Sequence, residues 1–260
     1  MKVVILAGGF GTRFSEETQL KPKPMIEIGN RPILWHIMKI YASHGFTEFI
    51  ICLGYKSSLI KQYFLDYHLQ EADISVHTGT GAYQMVSSHS ENWSVTLAET
   101  GLDAMTGGRI KQIQKYVGDE PFMLTYGDGV ANVDLTELIN FHQSHGKIAT
   151  ITAVQPLGRF GTLRLSGNGK VEAFMEKISG DGGWVNGGFF VLQPDIFDYI
   201  DSNLTIFERT PLEQLAKDGE LIAYKHSGFW HSMDTQHDKK TLDQYWAAGN
   251  APWKIWEEGT

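Results

Sequence analysis

One cysteine in 260 residues, Cys52, excludes a disulfide framework and a zinc site built on thiolates. Basic charge is scarce too. Against 30 Asp and Glu stand only 22 Lys and Arg, and the net of −8 argues against a nucleic-acid binder held by phosphate contacts. Long hydrophobic runs are missing: the early run at 3–7 stops at Gly8-Gly9, far short of a signal-peptide core or a membrane span. The chain has no internal repeat, no low-complexity tract, no Pro- or Ser-rich linker and no His-Glu-x-x-His motif. His142 and His145 share a predicted helix with no nearby carboxylate, and Cys52, inside Phe49-Ile50-Ile51-Cys52-Leu53, reads as a small buried hydrophobe. The expectation is a cytoplasmic protein with neither a membrane nor a nucleic-acid partner.

What is present suits a sizeable core: 42% hydrophobic, 12% aromatic and 20% charged residues. The β-branched run at 2–7 reads as a buried strand ending in a glycine loop. Pro32 then opens a helix with apolar residues at Ile33, Leu34, Ile37, Ile40 and Tyr41, closed by Gly45, and 47–53 is a second buried strand. Strand, helix, strand with all-apolar strands implies a parallel crossover and a sheet covered on both faces, an α/β fold.

Further strands are expected at 121–126, 147–154 and 185–192, and a hairpin at 161–165 and 170–176 around Ser166-Gly167-Asn168-Gly169 adds an antiparallel element. Asp134-Leu135-Thr136-Glu137 and Thr210-Pro211-Leu212-Glu213 read as capping-box helix starts, and a last helix runs over 236–248. Residues 79–91, rich in Gly, Ser and His, read as a mobile or inserted loop. The tail Ala251-Pro252-Trp253-Lys254-Ile255-Trp256 either docks on its own domain or packs on a neighbouring subunit.

Gly8-Gly9-Phe10-Gly11-Thr12-Arg13 is a glycine-rich turn at a strand end, where backbone N–H groups can reach phosphate oxygens. It is neither a Walker loop nor the dinucleotide fingerprint. Arg13 and Lys23 bring fixed positive charge, and Lys21-Pro22-Lys23-Pro24 projects both its lysines from a backbone stiffened by proline. Asp128, in Tyr126-Gly127-Asp128-Gly129, lies at a strand's carboxyl end, where open α/β sheets bind ligands and where one Asp can serve Mg²⁺. Asp234, just ahead of the last helix, reads by itself as a helix N-cap and can equally supply a second carboxylate. Glu176-Lys177 by itself is an ordinary surface pair, and Asn186-Gly187-Gly188 inside a strand marks a ligand surface or a close backbone approach.

With Leu6-Ala7-Gly8-Gly9-Phe10-Gly11-Thr12-Arg13 followed by Lys21-Pro22-Lys23-Pro24-Met25, the sequence resembles the sugar-1-phosphate nucleotidyltransferases. Met105-Thr106-Gly107-Gly108-Arg109 and the Trp-rich tail point to that family's cytidylyl branch. The resemblance implies a three-layer αβα Rossmann-like mixed sheet with a small antiparallel sugar-binding lobe, formed by one domain over 1–260. Within it, about 1–130 would bind nucleotide, about 131–235 sugar, and 236–260 would form the C-terminal helix and tail. It implies Mg²⁺ as cofactor, CTP and glucose 1-phosphate as substrates, CDP-glucose and pyrophosphate as products, and a homohexamer. Products of this kind feed the synthesis of bacterial surface polysaccharides.

The resemblance also implies roles. Leu6, Ala7, Gly8, Gly9, Phe10, Gly11, Thr12 and Gly127 would wrap the nucleotide, and Thr106 and Arg109 would meet it near the base. Arg13 would clamp the triphosphate, Lys23 would stabilise charge at the α-phosphate, and Asp128 and Asp234 would hold Mg²⁺. Glu176, Asn186 and Gly187 would read sugar hydroxyls, and Lys177 would grip the sugar phosphate. Where many relatives carry Pro after Glu-Lys this chain has Ile178, which leaves Lys177 less rigidly held. Rival readings are the same chemistry with UTP, dTTP or another sugar 1-phosphate, a glycosyltransferase, and a non-catalytic nucleotide-sugar sensor. Asp128-Gly129-Val130 lacks the second carboxylate of a glycosyltransferase's Asp-x-Asp, and a sensor has no need of charge placed for a transition state.

Overall fold

Apolar side chains at every position of Val3–Leu6 (β1) require cover on both faces, and all four are buried. The computed structural model describes residues 1–11, 15–88, 90–156, 162–165, 171–175 and 183–257, with backbone alone at 15, 16, 88, 162–165 and 171–175. In it β1 lies inside a seven-stranded sheet with Glu48–Leu53 (β2), Ser94–Glu99 (β3), Phe122–Tyr126 (β4), Ala149–Val154 (β5), Val185–Leu192 (β6) and Leu221–His226 (β7). The strand order is β7-β5-β6-β4-β1-β2-β3. Six strands run parallel, and β6 is antiparallel to β4 and β5.

The period-2 alternation of the strands divides the core into two layers. Val3, Ile5 and Phe49 pack with the helix Ile33–Ala42, while Val4, Leu6, Ile50 and Cys52 pack with Ile110, Ile113, Leu212 and Leu215 from helices on the other face. Burial pushes the Cys52 thiol up to about 12, so it is an inert part of this core. Among the described residues no helix is long and apolar enough to cross a membrane.

Several expectations need correcting. The antiparallel member of the main sheet is β6; the hairpin strands Thr162–Leu165 and Val171–Met175 form a separate two-stranded sheet, and 166–169 lie outside the described residues. Residues 79–91 are not a plain loop, because Ala72–His77 and Ala82–Ser88 pair as an antiparallel hairpin. Almost every described residue of that hairpin is exposed, so no buried face imprinted a readable pattern on it. Edge strands β3 and β7 and the helices Ser57–Leu65 and Thr106–Gln112 also escaped the sequence reading. Asp134 does cap Leu135–His145 by accepting from Glu137 N at 3.0 Å, but the Glu137 carboxylate takes the Tyr224 hydroxyl at 3.2 Å. Thr210 falls inside Thr210–Lys217, whose N-cap is Arg209 with no side-chain bond.

The tail docks on its own chain. Trp253 is fully buried, stacked on Phe229 (centroids 5.7 Å) and Trp246 (6.4 Å), and Trp256 meets the Trp35 edge at 5.7 Å. His36 sits beneath this cluster, with Nε2–H donating to Ile28 O (3.0 Å) and Nδ1 accepting from the Trp253 indole N–H (3.3 Å). Both ring nitrogens are thereby satisfied by a neutral imidazole, and burial lowers its pKa to about 4. Replacing Trp253 by Ala is expected to cost about 3–5 kcal/mol, measurable by urea denaturation.

Folded His36 stays neutral down to about pH 4, whereas the unfolded residue protonates near its ordinary 6.5. Its contribution is therefore complete above pH 6.5 and is lost as pH falls from 6.5 to about 4, roughly 3 kcal/mol in all. His142, also lowered to about 4 by burial, acts with the same sign. Stability against urea should drop across this window, and His36→Gln should flatten part of the slope; a slope unchanged in the variant would refute the assignment.

Candidate active site

Asp128 and Asp234 are distant in sequence, and a short antiparallel pairing brings them together. Gly129–Ala131 pairs with Trp230–Ser232, Gly129 opposite Ser232, so the residues flanking the two strands meet. Met233 N donates to Asp128 O at 2.8 Å, and the Trp230 indole N–H donates to Gly187 O at 2.7 Å, which ties this pair to β6. Asp234 is not the helix cap: Thr235 caps Gln236–Ala247 in a reciprocal box with Asp238, leaving the Asp234 carboxylate to point into the site.

Lys23 completes the cluster. Pro22 and Pro24 flank it in the 3₁₀ turn Lys23–Met25, and its ammonium donates to Asp128 Oδ2 at 2.6 Å and Asp234 Oδ1 at 2.9 Å. Burial alone would lower the Lys23 pKa; the two carboxylates outweigh it and the net shift is upward. Lys21 is placed differently, in an exposed pair with Glu27 at 2.6 Å, so only one of the two lysines belongs to the site.

These residues open on a cavity of about 960 Å³ at the carboxyl ends of β1 and β4. Leu6, Ala7, Gly8, Gly9, Phe10 and Gly11 line it, together with Gly127, Asp128, Lys23 and Asp234. Thr106 and Arg109 line it too, as do Asn186 and Gly187 from the start of β6. Gly188 has φ +79°, and a Cβ there would meet the Tyr126 ring at 2.6 Å, so the close approach expected at this glycine pair is made by the neighbouring strand's side chain. Thr12, Arg13, Glu176 and Lys177 lie outside the described residues.

The chain matches the nucleotidyl transferase family over residues 2–234. The chain belongs to the nucleotidyl transferase family. It is 54% identical to the glucose-1-phosphate cytidylyltransferase of Salmonella typhi over 258 residues, 99% of this chain and all of the relative. It is 50% identical to the probable glucose-1-phosphate cytidylyltransferase of Bacillus subtilis (strain 168), over 98% of this chain and all of that one. Its fold is like that of HddC from Yersinia pseudotuberculosis, with TM-score 0.67, 24% identity, and coverage of 94% of this chain and 99% of the other.

For a nucleotidyl transferase the buried guanidinium of Arg109 is informative. It donates to Leu53 O (2.9 Å), Gly8 O (2.9 Å), Gly101 O (2.8 Å), Leu102 O (3.2 Å) and Thr100 Oγ1 (2.8 Å), joining the glycine turn to the ends of β2 and β3. Burial holds its pKa below the usual arginine value. A Cβ on Gly8 would lie 2.2 Å from Arg109 Nη1, so the glycine is what admits the guanidinium.

Sequence reading missed Glu208. It lines the cavity, accepting from Thr106 Oγ1 at 2.6 Å and from the Tyr126 hydroxyl at 2.7 Å. Tyr126 in turn accepts from Asn186 Nδ2 at 3.1 Å, and burial, then the Glu208 charge, pushes its phenol pKa upward. No local motif surrounds Glu208; the only signal is its position just before the helix start at Thr210.

The donor set also bears on a metal. Two carboxylate oxygens converge on one cationic nitrogen, and Mg²⁺ needs one or two protein carboxylates with the rest supplied by phosphates and water, so the residues fit such an ion. No group of three or more His, Cys, Asp or Glu able to hold a metal occurs among the described residues. Arg109→Lys, which keeps the charge but loses the fork, should lower kcat/KM about 10–100-fold and reduce Tm while far-ultraviolet circular dichroism stays native. Wild-type kinetics in that variant would show the carbonyl contacts to be dispensable.

Proposed function

We propose that this chain joins CTP to α-D-glucose 1-phosphate, giving CDP-glucose and pyrophosphate. The observation that carries the reading is the convergence of the glycine turn, Lys23, Asp128 and Asp234 on one cavity in a chain 54% identical, end to end, to a glucose-1-phosphate cytidylyltransferase. The reaction proceeds in the cytoplasm, without a membrane or nucleic-acid partner.

A phosphate monoester has a second pKa near 6, so the attacking oxygen is already anionic at neutral pH and no general base is needed. An oxygen of the sugar phosphate bonds to the α-phosphorus of CTP as the bond from that phosphorus to the β-phosphate's bridging oxygen breaks, and pyrophosphate departs with the electron pair. The protein's part is to align two polyanions in line and neutralise their charge. Backbone N–H groups of the Gly8 to Gly11 turn face the triphosphate; Lys23 meets the α-phosphate and Arg13 the leaving pyrophosphate. Asp128 and Asp234 would hold Mg²⁺, which when bound supplies charge neutralisation between the phosphates. Arg109 and Thr106 shape the nucleotide end, and Asn186, Gly187, Glu176 and Lys177 take the sugar phosphate. By family resemblance the working form is a homo-oligomer, a hexamer.

Pyrophosphate release measured with Mg²⁺ and glucose 1-phosphate should be strong with CTP and weak with UTP, dTTP, ATP and GTP. Release with another nucleotide alone would overturn the base assignment and keep the chemistry. Asp128→Asn should lower turnover by two orders of magnitude or more with an unchanged Tm, and an active variant would remove Asp128 from the reaction.

A further inference from the structure

Resting on the proposed metal role, one contact calls for explanation: the position between the two intended ligands is already taken. Lys23 Nζ lies 2.6 Å from Asp128 Oδ2 and 2.9 Å from Asp234 Oδ1, which is where an ion bound by both oxygens would sit. An ammonium and a divalent cation cannot share that point, because their charges repel and each needs the same lone pairs. The lysine is well placed to hold it. Its side chain is only 11% exposed, and its backbone is stiffened by prolines on both sides.

The backbones that carry the two carboxylates are held independently of Lys23. The Asp128 backbone is fixed through its carbonyl, which accepts from Met233 N, and Asp234 Oδ2 accepts from Ser232 Oγ at 2.9 Å. The lysine's four-carbon stem has the rotatable bonds through which its ammonium can swing. We propose that Lys23 keeps the cation position closed in the nucleotide-free protein, and that the phosphates of an arriving nucleotide open it by drawing the ammonium onto themselves. Metal then enters with the nucleotide and not before it, and one side chain serves in turn as an internal counter-ion and as a phosphate ligand.

The test is Mn²⁺ binding to the full chain at pH 8, followed by calorimetry and by the electron paramagnetic resonance signal of free Mn²⁺, with and without a non-hydrolysable CTP analogue. Without nucleotide, Lys23→Met, which keeps the apolar stem, should bind Mn²⁺ at least ten-fold more tightly than wild type. Lys23→Ala should do the same, and Lys23→Met combined with Asp128→Asn should lose the gain. Equal Mn²⁺ affinity in wild type and both lysine variants, or a gain that survives in the double variant, overturns the proposal. The underlying metal reading is judged separately: if Mn²⁺ binding in the presence of the analogue is unaffected by Asp128→Asn, Asp128 is not a ligand and both fall. If that binding depends on Asp128 while the lysine variants show no gain, only the closing role of Lys23 is lost.

Discussion

The site depends on one short pairing, Gly129–Ala131 against Trp230–Ser232. Two carboxylates can flank a single cationic centre only if the backbone brings them within a few ångströms, and like charges at that distance repel unless something positive lies between them. The pairing supplies the distance and Lys23 the charge. Because Trp230 also bonds to Gly187 on the antiparallel strand β6, the same ribbon sets the two carboxylates relative to that strand, which also lines the cavity.

A second constraint acts on the glycine turn. Arg109 is a buried charge satisfied almost wholly by carbonyl dipoles, an arrangement that loses its energy if any of those loops moves. It therefore locks the glycine turn to the ends of two neighbouring strands. Glu208 performs a similar service between Thr106 and Tyr126, so the cavity is framed by polar groups that already hold one another before substrate arrives.

The C-terminal tail shows how the remote parts matter. Trp253 and Trp256 close over the helix Ile33–Ala42, whose other side supports β1 and hence the glycine turn. The neutral histidine between them fixes one tautomer through two neutral hydrogen bonds, which makes tail docking a matter of hydrogen-bond geometry as well as apolar burial.

From its sequence the chain yields its inner parallel strands, because burial on both faces leaves apolar runs such as Val3–Leu6 and 49–53, whereas the half-exposed edge strands leave none. Composition and local motif likewise determine the glycine turn, the proline-stiffened Lys23 and the strand-end Asp128, since each is a property of a few adjacent residues. Contacts between distant segments are not encoded that way. Whether Asp234 caps a helix or faces a lysine, whether Lys21 or Lys23 enters the site, whether the tail covers its own core, and that Glu208 lines the cavity at all were decided by tertiary structure. Each depends on which surfaces meet when the sheet closes, and a side chain's neighbours across that sheet leave no periodic trace in its own stretch of sequence.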